Sequence, residues 1–404
     1  MATAEEAEPG SPGRRQARRV MVVGSGTHFL SGISAYTIRL ANALAERHQV
    51  SVLFMRRLVP ARLYPGWKRV GTDLTRLRPA PGVASFDGVD WFWLPSMLRA
   101  ALFMLRRRPE VVIFQWWTGA VLHSYLALAL LARLRGGRVV VEFHEAQDVG
   151  EAGIPLVARY VRLVGPLFMG LADAFTVHSE FDRRLVAQAW PATRRRPTTV
   201  LPHGPYDNYA AGGREVLREA PDGVVNLLFF GVIRPFKGLE HLVAAFDALT
   251  DEEAARYWLT VVGETWEGWT LPAERIAASP RRARITFVNR YVTDDELHGY
   301  LAGADAVVLP YLRSSLSGPL QVAMTYGLPV VLSEVGGNIE AAEGYGGLVL
   351  VPPGDPTALT DGLRRVAELA GTRHEHPHSW ANTVDAYEPV LAARMSPEGG
   401  PASD

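Results

Sequence analysis

The feature that most constrains this chain is an alternation that runs twice. Short apolar runs end at glycine or polar residues, and helix-spaced segments separate them. The first series reads "RRVMVVGSG", "HQVSVLFM", "PEVVIFQW", "GRVVVEFHE", "ADAFTVHSE" and "TTVLPHG". The second reads "VNLLFFG", "YWLTVVGE", "ARITFVN", "DAVVLP", "PVVLSE" and "GGLVLVPPG". Continuous apolar runs of this kind suit parallel strands buried on both faces. In "GISAYTIRLANALAER", Ile33, Tyr36, Leu40 and Leu44 fall on one helical stripe. Two consecutive β/α series predict two doubly wound, Rossmann-like domains. Ligands of such sheets bind outside the carboxyl ends of the strands, so the site is expected in a cleft between the domains.

The boundaries follow from the same reading. Residues 1–18 are expected to be a disordered tail and 19–205 the first domain, on the acceptor side. Residues 206–222, with Gly and Pro and no clear strand, are the linker, and 223–372 are the second domain. Residues 373–393 hold a last helix expected to return to the first domain, and 394–404 are expected to be a polar, disordered tail.

Composition excludes several classes. Lys plus Arg balance Asp plus Glu at 42 each, unlike the basic face of a nucleic-acid binder. With no cysteine, disulfides and thiolate metal sites are excluded. The N-terminus lacks the apolar core of a secretory signal. The most apolar helical segment, "VLHSYLALALLARLR", is shorter than the roughly 20 residues of a membrane span and contains His123 and Arg133. The expectation is a cytoplasmic protein, free or held peripherally at the inner face of a membrane.

Only two residues are lysines, Lys68 and Lys237. Lys237 stands three residues after Arg234, between a strand end and a helix opening at Gly238. A Gly-bounded turn with two cations near a helix start suits a diphosphate, and a solvated basic loop is the plain alternative. In "LPYLRSSLSGPLQVAM", Ser317 can cap a helix whose first turn holds Pro319. That aims amides near Ser317 and Gly318 at the cleft.

With these stretches, "SGISAYTIRLANAL", "VHSEFDRRLV", "YVTDDEL" and "GLPVVLSEVGGNIE", the chain resembles a retaining GT-B glycosyltransferase of glycosyltransferase family four, from Arg19 to about residue 390. The resemblance implies two Rossmann-like domains facing a central cleft. It also implies transfer of a sugar from a nucleoside-diphosphate sugar, with retention and without a metal or any cofactor beyond that substrate. It implies that Arg234 and Lys237 neutralise the diphosphate, that Gly32 lets the backbone approach it, and that Arg290, Tyr291 and Val292 flank the base. Gly263 of "VVGE" and Ser314, Ser315, Ser317 and Gly318 join the donor site. His144 is placed against the donor sugar, with a loop histidine paired to Glu145 or Asp148 as the alternative. The chain departs from the family where two glutamates are expected, at Ser314 and Val322, which leaves Gln321 or a backbone group to hold the ribose.

Other residues are open to two readings. Glu142, Glu145, Asp148 and His144 could be a metal cluster, but their spacing matches no metal motif. His178 and His203 read as turn residues. Trp116 and Trp117, with Trp91 and Trp93 nearby, suit an aromatic acceptor floor or a packed core. Arg106, Arg107 and Arg108 suit an anionic membrane or a solvated turn. The expected partners are a nucleotide sugar and an acceptor of unassigned class, and no nucleic acid. The alternatives are a sugar-nucleotide epimerase of the same fold and a non-catalytic nucleotide-sugar-binding subunit.

Overall fold

The structure, a computed structural model, describes residues 16–26, 32–57, 77–90, 94–146, 155–207, 215–265 and 269–393. The first sheet is built from β1 (Arg19–Ser25), β2 (Gln49–Arg57), β3 (Ala84–Asp90), β4 (Val111–Trp116), β5 (Arg138–Phe143), β6 (Ala174–Val177) and β7 (Thr198–Val200). Its order is β3-β2-β1-β4-β5-β6-β7, and all its pairings are parallel.

Both faces of that sheet are covered. Val23, Val112 and Val141 face the helices Leu94–Arg107, Leu122–Leu134 and Pro155–Leu171. Their strand neighbours Val22, Ile113 and Val140 face the other way, against Leu40 and Leu44 of helix Gly32–Leu44 and against Val384 and Leu391. The last two belong to the C-terminal helix Trp380–Ala392, so the chain crosses back to the first sheet at its end. Arg138 fixes that helix by donating to the carbonyl oxygen of Val390 at 2.7 Å.

The second sheet holds β8 (Val225–Phe230), β9 (Tyr257–Val262), β10 (Ile285–Val288), β11 (Ala306–Leu309), β12 (Val330–Ser333) and β13 (Leu348–Val351). Its order is β10-β9-β8-β11-β12-β13, again parallel. In each sheet the strand order reverses beside the first strand of the series, which creates the crevice where doubly wound folds bind ligands.

One strand has no counterpart in the sequence reading. β3, "ASFDGVD", is an edge strand with alternating exposure, so it lacks the apolar run that marks its neighbours. In the region read as a linker, Leu217 donates its backbone N–H to Gly299 at 2.9 Å, and Arg218 reaches the carbonyl of Gly303 at 2.8 Å. Residues 215–218 are therefore tied to the helix Asp294–Ala302 of the second domain.

Candidate active site

The carboxyl ends of the two sheets enclose a cleft of about 690 Å³. Its second-domain wall comes from the loops after β8, β9, β10 and β11. Its first-domain wall comes from the start of helix Gly32–Leu44 and the segments after β5 and β7.

Backbone geometry sets how closely these loops approach. Gly238 ends the cation loop at φ 66°, and a Cβ there would lie 2.1 Å from the Pro310 carbonyl oxygen. Gly263 sits at φ 151°, where a Cβ would lie 2.1 Å from the oxygen of Gly231. Both positions exclude an L side chain. The β8, β9 and β11 loops can therefore close on one another beneath the cleft.

Arg234 and Lys237 line this wall together, and both are half-buried. The Lys237 ammonium lies 5.4 Å from the ring centroid of Tyr311, a cation–π distance. It has no carboxylate partner among the described residues. Burial, with the Arg234 charge beside it, pulls its pKa from 10.5 down to about 7. A lysine held out of water without a counter-charge is costly, and an anion in the cleft would remove that cost.

The neighbouring wall presents amides. Ser317 caps the helix Gly318–Thr325, its Oγ accepting from the Leu320 N–H at 3.1 Å. Ser314, Ser315, Ser317, Gly318, Pro319 and Val322 all line the cleft, as do Gly263, Tyr291, Val292 and Gly32.

Two residues expected at the donor lie elsewhere. Arg290 is exposed and grips Glu296 through both terminal nitrogens at 2.6 and 3.2 Å. That contact, with the Thr293 N–H, holds the Glu296 carboxyl at a pKa of about 2. Gln321 is fully buried and bonds through Oε1 to His376 Nε2 at 3.1 Å. Its neighbours Gly318 and Val322 line the cleft, but the Gln321 side chain does not. Gln321 therefore does not stand in for the ribose-binding carboxylate. The carboxylates on the donor side are Glu264 and Asp294, which the sequence reading did not single out.

Across the cleft, His144 is bonded through Nε2 to Oε1 of Gln115, whose amide nitrogen donates to Oε2 of the fully buried Glu142. Tyr36 donates to Oε1 of Glu142 at 2.7 Å. These bonds fix the protons in order. The carboxylate needs a donor, so the Gln115 amide nitrogen turns toward it and the carbonyl oxygen turns toward His144. His144 therefore carries its hydrogen on Nε2 and keeps Nδ1 as an acceptor. Burial, and then His178 and His203, push its pKa well below 6.5. Its partner among the described residues is Gln115 and not Glu145; Asp148 lies outside the described residues.

Glu142, His144 and His178 also lie close enough to suggest a metal site. Both Glu142 oxygens and His144 Nε2 are, however, occupied by the bonds just described. Gln115 joins Glu142 and His144 in a hydrogen-bonded chain, and His178 Nε2 lies 3.5 Å from Oε1 of Glu142.

His203, read as a turn residue, lines the cleft, with its ring 4.5 Å from Tyr36 and its Nδ1 2.6 Å from the Gly204 oxygen. Trp116 and Trp117 are buried, Trp116 stacking on Phe168 at 5.8 Å. They form core packing and not an acceptor floor. Trp91 and Trp93 lie outside the described residues.

The two walls also touch directly. The Glu340 carboxylate of the second domain accepts the backbone N–H groups of Glu180 and Phe181 at 2.5 and 3.0 Å. Those residues open the helix Glu180–Ala189 of the first domain.

Two family models match consecutive parts of the chain. Residues 31–204 match the glycosyl transferase 4-like domain, and residues 225–368 match glycosyl transferases group 1. The chain belongs to the GT-B glycosyltransferases of family four. This GT-B chain is 26% identical over 356 residues to the 2-deoxystreptamine glucosyltransferase of Streptomyces kanamyceticus, covering 82% of this chain and 88% of that protein. It is 28% identical over 240 residues to the D-inositol 3-phosphate glycosyltransferase of Streptomyces bingchenggensis. That match takes in 55% of this chain and spans about half (51%) of the relative's length. Its fold resembles Anabaena HepE, solved in complex with UDP. The TM-score is 0.59 at 14% identity, over 93% of this chain and 94% of that one.

Proposed function

We propose that the protein transfers a sugar from a nucleoside-diphosphate sugar to an acceptor hydroxyl, with retention of anomeric configuration. One observation carries the reading: the half-buried, uncompensated Lys237 beside Arg234 in a cleft whose adjoining wall is a capped helix start. Charge-assisted bonds of this type suit a diphosphate. The family's relatives include a glucosyltransferase, and a structural neighbour was solved with UDP.

In this mechanism Arg234, Lys237 and the amides near Ser317 and Gly318 hold the two phosphates. They stabilise the charge that grows on the leaving group as the bond between the anomeric carbon and the phosphate oxygen breaks. No side chain of the cleft is needed as a covalent nucleophile. The acceptor oxygen bonds the anomeric carbon on the face that the diphosphate leaves, and its proton passes to a phosphate oxygen. His144, neutral and with Nδ1 open as an acceptor, binds a sugar hydroxyl. Glu264 and Asp294 supply donor-side carboxylates that positions 314 and 322 lack. Catalysis is then mainly positioning and charge stabilisation, and no divalent metal is required.

The test is a screen of nucleoside-diphosphate sugars with and without candidate acceptor alcohols, in EDTA, reading nucleoside-diphosphate release and the anomeric form of the product. Acceptor-dependent release with a retained anomer is expected. Sugar interconversion without acceptor would indicate the epimerase. Binding without any turnover across the screen would indicate a binding subunit.

A further inference from the structure

Three helices cover one face of the first sheet, and their outer surface has an unusual composition. Leu94–Arg107, Leu122–Leu134 and Pro155–Leu171 have 14, 13 and 17 residues. The chain holds 42 acidic residues among 404, yet these three helices hold none.

Their inward stripes are spent on the core, through Ala100 and Met104, Tyr125 and Leu128, and Val161 and Phe168. The outward stripes are also apolar. Leu94, Leu98 and Leu102 repeat every fourth residue on the first helix. Leu130 and Leu134 do so on the second, and Leu163 and Leu167 on the third, with Leu156 one turn-pair earlier. These leucines are 49% to 79% exposed. Scattered exposed leucines need no explanation, but a contiguous set across three neighbouring helices marks an interaction surface.

Exposed arginines are interleaved with them: Arg99, Arg106 and Arg107 on the first helix, and Arg159 and Arg162 on the third. None has an acidic partner among the described residues. The one cation of the set that is paired, Arg133, is held by Asp173 beyond its helix.

We propose that this face of the first domain docks on an anionic membrane surface. Leucines between arginines match an interface where apolar side chains enter the acyl boundary and guanidinium groups stay at the phosphates. Charge decides against a second copy of the chain, because two such faces would oppose arginine to arginine with no acid on any of the three helices. No described helix is long and apolar enough to cross a membrane, so the helices would lie on the surface. Each ends two or three residues before the next parallel strand begins. Its start therefore lies toward the carboxyl ends of the strands, and Leu94 and Leu156 stand on the cleft side of the patch. A docked protein would thus hold its cleft near the lipid headgroups. The proposal does not depend on the transfer reaction.

The experiment is co-sedimentation of the full chain with phosphatidylcholine vesicles and with vesicles that also contain phosphatidylglycerol. Binding is expected only to the anionic vesicles and should be reversed by high salt. Each arginine at the surface contributes roughly fivefold to partitioning, so the pair Arg99→Gln and Arg162→Gln should weaken binding by roughly 25-fold. The pair Leu98→Gln and Leu163→Gln should abolish it. All four residues are exposed, so thermal unfolding should be unchanged, and it is measured to confirm folding. Absence of binding to anionic vesicles, or binding that neither pair weakens, would overturn the proposal. So would a dimer in sedimentation equilibrium that the leucine pair dissociates, which would assign the face to a contact between copies.

Discussion

His144 and Gln115 share a hydrogen bond between Nε2 and Oε1, and Glu142 beneath them determines which way that bond is polarised. The ring therefore reaches the cleft as a neutral acceptor. His144→Ala should lower turnover by about tenfold or more, the consequence of losing a bond to the reacting sugar. It should leave the affinity for the free nucleoside diphosphate nearly unchanged. Steady-state kinetics beside a titration of the diphosphate separates the two effects. Equal loss in both, or normal turnover, would remove His144 from the sugar site. Gln115→Ala should lower kcat in the same direction while leaving diphosphate binding intact.

Lys237 predicts a pH effect on binding. Burial, with the Arg234 charge beside it, lowers its pKa to about 7, so above pH 7 the free protein progressively loses that charge. A bound diphosphate favours the charged form and raises the pKa. Affinity should therefore fall as pH rises from about 7 toward 9, and binding at pH 8 should take up a proton. Calorimetry in buffers of different ionisation enthalpy measures that uptake. Binding with no proton exchange at pH 8 would mean that Lys237 does not meet the phosphates.

Glu340 predicts an effect of the contact between domains. Its carboxylate serves the start of helix Glu180–Ala189 as a cap supplied from the other domain. Removing a capping group costs about 0.5 to 2 kcal/mol, here charged to the closed arrangement of the domains. Glu340→Ala should raise KM for the donor by a few-fold to about tenfold and increase the radius of gyration in solution scattering. Each domain keeps its own core, so the thermal transition should move little. An unchanged KM and scattering profile would show that the contact does not govern closure.

The parts of this fold legible in the sequence were those written in local pattern. The apolar runs marked β1, β2, β4 to β7 and all six strands of the second sheet, because parallel strands covered on both faces are largely apolar. β3 was not legible, because "ASFDGVD" is an edge strand with one wet face. Cation and amide loops could be located by their place after strand ends. The direction of single side chains could not: Arg290 is drawn off by Glu296, and Gln321 turns toward His376. His203 follows a strand of only three residues, and its place in the cleft depends on the packing of Tyr36 and Tyr206 around it. The Gln115–Glu142 bond joins residues 27 positions apart, which only strand pairing brings together.

The most direct test of the central claim is calorimetric titration of a nucleoside diphosphate, and of the bare nucleoside, into the wild type, Arg234→Ala and Lys237→Ala. Each charge-assisted contact contributes roughly 1.5 to 3 kcal/mol, so each variant should bind the diphosphate about ten- to a hundredfold more weakly. Nucleoside binding should be unchanged, because neither cation is expected to touch the base or ribose. Lys237→Arg should recover only part of the loss, since a planar fork cannot replace a compact ammonium beside Tyr311. Diphosphate affinity equal to wild type in both alanine variants would contradict the account and leave Arg234 and Lys237 as a solvated basic turn.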